Sequence, residues 1–521
     1  MAGRWLRGLG LSIAMLLMWT AAPASAAWFE ARSRHFIVYS EGTPASVRKF
    51  ASDLERFDQG VRKLLGYPDT EGDDPNPVTV YTLDGIGAVN SLCRSGRADT
   101  AKDCRYVAGF YNSRVSGSVA FVPRRAGGGG PFEIRAETIL FHEYVHHLML
   151  ANSGAAYPAW YVEGFAEFVS NAKVDDEGAA GIGLPAASRA TALAFLGGLP
   201  MHELLTVNPS KLSPNQRALF YARAWLLTHY LTFSKERDGQ LTKYLIDINK
   251  GVPATQAAIE AFGDLKKFDY ELSGYQRRSR LQYLAVPVAP IPADSIRIRQ
   301  LDAGEAAMMR IRIRSDRGVD RATAPDVAED ARSIAAPYPD NPGVQTALAE
   351  AEFDAGNGDA AEAAADRAIA SDPKNMTAMI YKALVLMRRA RESGERDAAV
   401  WRGIRQWLLK ANQVQPDAAW PLSLYYLTFR MEGEKPTANA AAALQRAFEL
   451  VPQDDGVRLN LVQHYLSEEK LDEARAALAP LALNPHISPE HPAVKLMARI
   501  DEHKNGDKGL LDTDDLPLQL E

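Results

Sequence analysis

The spacing of hydrophobic and polar residues changes several times within the first part of the chain. Short runs rich in β-branched and aromatic residues predict strands at 35–40, at 77–83 and around 119–122. Between the first two runs, residues 44–66 carry apolar side chains at the three- and four-residue spacing of a helix. These patterns predict a small mixed α/β unit over residues 28–135.

The next segment, residues 136–284, is predicted to be mainly helical. Helical spacing of apolar residues predicts helices at 136–152, 159–171 and 215–233. The last of these is apolar on most of its surface, which predicts that it is buried.

A proline-rich stretch opens the following segment, residues 285–324, which we predict to be a linker. Apolar and basic residues alternate at 295–301 and again at 308–314. Alternation of this kind is typical of a strand, so two short strands are predicted within the linker.

The C-terminal part of the chain repeats. Prolines close successive helical stretches at Pro339, Pro373, Pro416, Pro452 and Pro485, at intervals of 34, 43, 36 and 33 residues. Each interval holds two amphipathic patterns rich in small residues. This period and content resemble the tetratricopeptide repeat over residues 325–490, which implies a helical solenoid that binds a peptide or a partner protein. Residues 491–521 are predicted to be an acidic tail, because the last 21 residues carry seven acids against two lysines.

Composition agrees with an ordinary folded protein. The 521 residues are 46 % hydrophobic and 24 % charged, and the length corresponds to about three domains. The net charge of −6 provides no basic excess for nucleic-acid binding. The predicted fold class is α+β: a small mixed α/β unit, a mainly helical domain and a helical solenoid.

The first 27 residues have the pattern of a secretory signal peptide. Arg4 and Arg7 precede an uncharged apolar run at 8–22, and Ala24-Ser25-Ala26 follows as a cleavage pattern. We expect a periplasmic or secreted protein with no membrane span after cleavage. An uncleaved N-terminal anchor is the alternative.

Cys93 and Cys104 are the two cysteines of the chain, and they lie in a polar segment. In an oxidising compartment we expect them to form one disulfide. Two free thiols, or two metal ligands, are the alternatives, although no further cysteine is present to complete a thiolate site.

The segment 142–146 reads His-Glu-Tyr-Val-His, an H-E-x-x-H motif inside an apolar helix. Histidines four residues apart share one helix face, so His142 and His146 can both reach one Zn²⁺. Glu143 then lies where it can act on a water molecule as a general base. The alternative is a pair of core or surface histidines.

A second motif follows the first. Glu163-Gly164-Phe165-Ala166 is an E-G-x-A pattern, and its pairing with H-E-x-x-H resembles the gluzincin metallopeptidases, aminopeptidase N-like enzymes and above all the peptidase MA-like group. The resemblance implies that Glu163 is the third zinc ligand. The two motifs are slightly closer together than in aminopeptidase N. The Gly-x-Met-Glu-Asn motif of the aminopeptidases is missing before His142, which argues against a strict aminopeptidase.

Further residues are assigned around this motif. Glu167 lies one turn after Glu163, so we predict that it holds the imidazole of His142 or His146, with a solvated helix face as the alternative. Tyr221 and the apolar run after it resemble the segment that carries a tyrosine near the zinc in aminopeptidase N-like enzymes. That resemblance implies that Tyr221 stabilises the oxyanion, with a core tyrosine as the alternative and His229 as a second choice of donor.

Two functions fit these patterns. The first is an exported zinc metallopeptidase that hydrolyses peptide bonds of a peptide or protein substrate, with the repeats recruiting that substrate or a partner. The second is a protein-interaction scaffold built on the repeats, with an inactive zinc-binding domain. The presence of Glu143 favours the enzyme, because zinc binding alone requires only the three ligands.

Overall fold

A computed structural model describes residues 27–69, 72–95, 104, 107–125, 136–152, 154–174, 178–483 and 490–504. The predicted signal peptide, up to residue 26, lies outside the described residues. So does the part of the predicted acidic tail that follows residue 504. Among the described helices, none is both long enough and apolar enough to cross a membrane.

The first part of the chain alternates strands and helices. Its elements are β1 (Trp28–Arg32), β2 (Phe36–Glu41), α1 (Pro44–Leu65), β3 (Val78–Leu83), α2 (Ile86–Arg94), β4 (Phe110–Asn112) and β5 (Val119–Pro123). Strands β2, β3 and β5 run parallel, whereas β1 and β4 run antiparallel to their neighbours β2 and β5. Helix α1 begins where Thr43 caps its first turn and ends at Gly66, whose φ of 67° places it in the left-handed region.

A mainly helical stretch follows. Its elements are α3 (Ala136–Asn152), α4 (Ala159–Ser170), β6 (Lys173–Val174), β7 (Ala179–Ile182), α5 (Ala187–Phe195), α6 (Met201–Thr206), α7 (Pro214–Phe233), α8 (Gln240–Asn249), α9 (Ala254–Phe262), α10 (Leu265–Gln276), β8 (Leu284–Pro287) and β9 (Arg297–Gln300). The short strands β6, β7 and β8 form a small second sheet. Strand β9 pairs with β1, so the first sheet has the order β4-β5-β3-β2-β1-β9. The predicted linker therefore contributes one strand to each sheet.

The second strand predicted for that linker, at 308–314, is wrong: these residues lie in helix α11 (Ala303–Arg317). Met309 and Ile313 pack on the first sheet, whereas Met308 and Ile311 pack on the helices that follow. A helix buried on two sides carries apolar residues more often than one with a single buried face. In residues 308–314 basic residues separate these apolar residues. The segment therefore shows the alternation of apolar and polar positions that is typical of a strand.

Helices fill the rest of the described chain. They are α12 (Ala324–Ala335), α13 (Pro342–Asp354), α14 (Gly358–Ser371), α15 (Met376–Glu392), α16 (Ala398–Val414), α17 (Ala419–Glu432), α18 (Ala438–Leu450), α19 (Asp455–Ser467), α20 (Leu471–Ala482) and α21 (Pro492–Lys504). Each helix packs against the next, as expected for stacked pairs in a repeat array. In addition α11, α13, α15 and α17 contact one another in turn, and we call these four helices the inner layer. The chain is thus an α+β protein with a small N-terminal sheet and a helical repeat-like body.

The prediction of an acidic tail from residue 491 is wrong for α21. Ala493, Leu496, Met497 and Ile500 are buried and share a small core with α20. Their spacing of three, one and three residues is that of a helix with one apolar face. The excess of acids near the end of the chain obscured this stripe.

The first sheet lies between two helical layers. One face packs on α1 and α3, where Phe36 and Val80 share a core with Phe57 and Phe141. The other face packs on α11, through residues that include Tyr81 and Phe121. The sheet therefore joins α3, which carries the H-E-x-x-H motif, to the repeats on its far side.

Candidate metal centre

Helix α3 presents the side chains of its H-E-x-x-H motif on one side of a largely buried helix. Apolar residues cover most of the helix, and Leu140, Val145 and Leu148 are fully buried. His142, Glu143 and His146 are each part-exposed. Helix α4 packs beside α3 and brings Glu163 to the two histidines. The two motifs are thus brought together by the packing of adjacent helices.

Three ligand atoms converge between these helices. The Oε2 atom of Glu163 lies 3.2 Å from Nε2 of His142 and 3.7 Å from Nε2 of His146. One ligand atom from each of the three residues lies within 4.8 Å of the others. In a tetrahedral zinc site with bonds of about 2.1 Å, ligand atoms are separated by about 3.4 Å. The spacing and the donor set of two imidazoles and a carboxylate both fit a zinc ion.

Glu167 contacts the opposite side of His142. Its Oε1 atom lies 3.3 Å from Nδ1 of that imidazole, so of the two predicted histidines Glu167 contacts His142. Arg189 binds the same carboxylate with two nitrogens, at 2.7 and 2.5 Å. Burial opposes ionisation of Glu167, but the Arg189 guanidinium and His142 hold its pKa well below the usual value. Glu167 is therefore an anion that keeps His142 Nε2 directed at Glu163.

The charges of this cluster act on one another. Burial alone disfavours the charged imidazole, but hydrogen bonds to Glu163 and Glu167 raise the pKa of His142 to about 10. Burial raises the pKa of Glu143 to about 7, and the negative charges of Glu163 and Glu167 add to this shift. The charge of His142 and, after it, a hydrogen bond from the Tyr111 backbone lower the pKa of Glu143. The carboxylates of Glu163 and Glu167 thus favour a positive charge at His142.

A cavity of about 490 Å³ opens beside the cluster. His142, Glu143 and Glu167 line one part of its wall, and Tyr221 and Arg189 line another. The ring of Tyr221 lies 6.2 Å from that of His142, with the Arg189 guanidinium over its face at 5.3 Å. The charge of Glu163, and after it burial, raise the pKa of Tyr221 well above its usual value. Its phenol therefore stays protonated at neutral pH and can donate a hydrogen bond.

Gly164 of the E-G-x-A motif lies at the closest approach of α4 to α7. A Cβ atom there would lie 2.5 Å from both the Ala224 carbonyl oxygen and the Thr228 Oγ1 atom. Only glycine permits this approach, which brings α4, the helix of Glu163, against α7, the helix of Tyr221. The glycine of the motif thus has a packing role beside Glu163.

Replacing Gly164 with alanine is expected to force α4 and α7 apart. Overpacking of this kind costs about 1–3 kcal/mol of stability, and it displaces Glu163, so the midpoint of thermal unfolding and the zinc bound per chain should both fall. Gly274→Ala is the matched control. Gly274 lies on a different helix, α10, and a Cβ atom there would meet no atom within 4 Å. If the two variants had the same midpoint of thermal unfolding and the same zinc content, this role of Gly164 would be refuted.

Other predicted residues lie apart from the cluster. His229 is not an oxyanion donor in this structure. Its Nδ1 atom lies 2.8 Å from the Tyr275 hydroxyl and its Nε2 atom 3.0 Å from the Gln282 carbonyl oxygen, away from the cavity wall. Cys93 and Cys104 are joined by a disulfide, with their Cα atoms 5.5 Å apart.

Two contributors to the site were missed in the sequence. Arg189 carries no signal of its own, because its ion pair with Glu167 forms only in the folded chain. Tyr111 lies on the edge strand β4, and its hydroxyl is 2.8 Å from Nδ1 of His147. Burial lowers the pKa of His147 to about 3, so this imidazole, adjacent to His146, is neutral. Alternation along the strand could have indicated that Tyr111 faces α3.

Comparison with known proteins adds little to this geometry. No protein-family model matches the chain, and no curated protein matches it. A tetratricopeptide-repeat protein of Thermus thermophilus, TTC0263, is 20 % identical, with a TM-score of 0.31 over 39 % of this chain and 100 % of that chain. The structure of MamA is 14 % identical, with a TM-score of 0.27 over 35 % of this chain and 95 % of that one. Since both scores are below 0.5, the description of the repeats rests on the helices of this chain.

Proposed function

We propose that this chain is an exported zinc-dependent metallopeptidase. The observation that carries the proposal is the convergence of His142 Nε2, His146 Nε2 and Glu163 Oε2 beside a cavity that His142, Glu143 and Tyr221 line. The resemblance of the two motifs to gluzincin peptidases supports it. The N-terminal signal pattern and the disulfide support a periplasmic or secreted location.

The residues of the cavity have separate roles in this proposal. His142, His146 and Glu163 would hold Zn²⁺, which supplies a Lewis acid and lowers the pKa of a water molecule. Glu143 takes a proton as the water attacks the scissile carbonyl, and passes it to the leaving amine. Glu167 and Arg189 keep His142 in its orientation.

Tyr221 is proposed to stabilise the oxyanion. Its phenol lines the same cavity as Glu143 and remains protonated, so it can donate a hydrogen bond to the oxygen that becomes negative. The absence of a Gly-x-Met-Glu-Asn motif removes the group that binds a free amino terminus in the aminopeptidases. We therefore propose an endopeptidase or an enzyme of another specificity, rather than a strict aminopeptidase.

A protein-interaction scaffold is the second candidate function. The observation that favours it is the array of stacked helices from α12 to α20, an architecture that provides an extended surface for a peptide or protein. In this case the zinc-binding domain would be inactive. The two functions can coexist, with the repeats binding the substrate or a partner.

The test is a measurement of zinc and hydrolysis on the purified mature chain. We expect close to one zinc per chain by elemental analysis, and cleavage of unfolded casein that stops when a chelator removes the metal and returns when zinc is added. No zinc, even after the metal is supplied, would refute the enzyme. Zinc without cleavage would favour the scaffold, and cleavage that survives chelation would indicate a contaminating protease.

A further inference from the structure

The turn between β4 and β5, residues 113–118, leaves the first sheet and enters the repeats. Val115 at its centre is only 5 % exposed and belongs to the hydrophobic core of the repeats, together with Met308 and Ile311 of α11. We call residues 113–118 the inserted turn. Its apolar side chain therefore shares a core with residues more than 190 positions away in the sequence.

Polar contacts flank this apolar anchor. Beside the turn, the Asn112 side-chain amide donates to the Arg317 carbonyl oxygen at 3.2 Å, and the Arg114 guanidinium donates to the Asp316 carbonyl oxygen at the same distance. Before α19, Gln453 Nε2 lies 3.4 Å from Ser118 Oγ. In the same place Asp454 accepts a hydrogen bond from the Val115 backbone. The inserted turn is thus held both by α11 and by the beginning of α19.

A second loop of the front part of the chain also contacts the repeats. The Asn76 side-chain amide donates to the Asp417 carbonyl oxygen at 3.1 Å, and Asn76 Oδ1 accepts from the Ala419 backbone at 3.4 Å. Gln415 donates a hydrogen bond to the Pro75 carbonyl oxygen. The contact between the repeats and the inserted turn is therefore part of a wider attachment.

The inserted turn is linked to Glu143 through Tyr111. The Tyr111 hydroxyl lies 2.8 Å from Ser118 Oγ and also 2.8 Å from His147 Nδ1. The Tyr111 backbone donates to Glu143. A chain of contacts thus leads from Gln453 in the repeats, through Ser118 and Tyr111, to α3 beside the cluster.

We propose that the repeats bind the inserted turn of their own chain and thereby position β4 against Glu143. This inference rests on the proposed function, since it assigns a positioning role in that reaction. Strand β4 has three residues and, among the described strands, pairs with β5 alone, so the sheet fixes it weakly. The repeats supply the missing constraint, and Tyr111 is the positioning residue that transmits it. A peptide or protein that binds to the repeats at this position must displace the inserted turn.

The test compares Val115→Asp with Ser116→Asp in the full-length mature chain. Both substitutions add one carboxylate to the same turn, but Val115 is buried in the repeats whereas Ser116 is exposed. Hydrogen exchange followed by mass spectrometry is the main measurement. We expect Val115→Asp to accelerate exchange in residues 107–125 while α4, α14 and α16 stay as in the wild type. Ser116→Asp should change nothing. Equal exchange in both variants and the wild type would overturn the proposal.

Casein hydrolysis and zinc content separate positioning from loss of structure. Val115→Asp should keep its zinc and lose about 10- to 100-fold in kcat with little change in KM, because a misplaced catalytic group affects the reaction step. Val115→Ile keeps an apolar side chain at this position and should have the kcat of the wild type. An unchanged kcat in a zinc-loaded Val115→Asp chain whose exchange has increased would overturn the role in positioning.

A milder variant guards against unfolding. If Val115→Asp fails to fold, Val115→Ala takes its place, with faster exchange in residues 107–125 as the expected result and unchanged exchange as the contrary one. Hydrogen exchange depends on neither zinc nor hydrolysis. If the wild-type chain binds no zinc, the proposed enzyme is refuted. The exchange of the variants would still show whether the repeats hold the inserted turn.

Discussion

Glu143→Gln should bind zinc like the wild-type chain and lose nearly all hydrolysis of casein. Glu143 is not among the three residues whose ligand atoms converge, so the metal site is expected to remain intact. An amide of the same shape cannot take a proton from water at neutral pH. General-base catalysis contributes on the order of 10²–10⁴-fold, and we expect a loss of kcat in this range.

The control for this variant lies on the same helix. Glu137→Gln makes the same chemical change in the first turn of α3, away from the converging ligand atoms. Its zinc content and kcat should equal those of the wild type. A Glu143→Gln chain with full activity would refute the proposed role of Glu143, and one that loses its zinc would place this carboxylate among the ligands instead.

His146→Ala should abolish zinc binding. It leaves one imidazole and one carboxylate, and two ligands do not hold zinc in a protein site, so we expect less than about a tenth of an ion per chain. The side chain of His146 is 18 % exposed, so its removal should leave the fold intact. Elemental analysis after dialysis against zinc is the measurement, and circular dichroism verifies the fold.

Thermal unfolding gives an independent measure of the same loss. Free zinc at about 1,000 times its dissociation constant should stabilise the wild-type chain by about 4 kcal/mol, and should not shift the unfolding of His146→Ala. His202→Ala is the matched control, because that imidazole is 65 % exposed and lies outside the cluster. Zinc retained by His146→Ala at the wild-type level would contradict the ligand set.

The sequence by itself determined the local geometry of the candidate site. Two histidines four residues apart on one helix must share a face, and so must Glu163 and Glu167 on theirs. Those spacings are properties of the helix, so they required no knowledge of the fold. The same holds for the helical repeats, whose period is visible in the positions of their prolines.

Only the tertiary structure decided which elements surround that site. Arg189 reaches Glu167 from a different helix, and the inserted turn finds its partners near Asp316 and Gln453. Residues 308–314 show the reason most clearly, because they form a helix buried on two sides and not the predicted strand. Periodicity reports how a segment is divided between apolar and polar faces. Which faces are buried depends on partners that are distant along the chain, and these contacts exist only once it has folded.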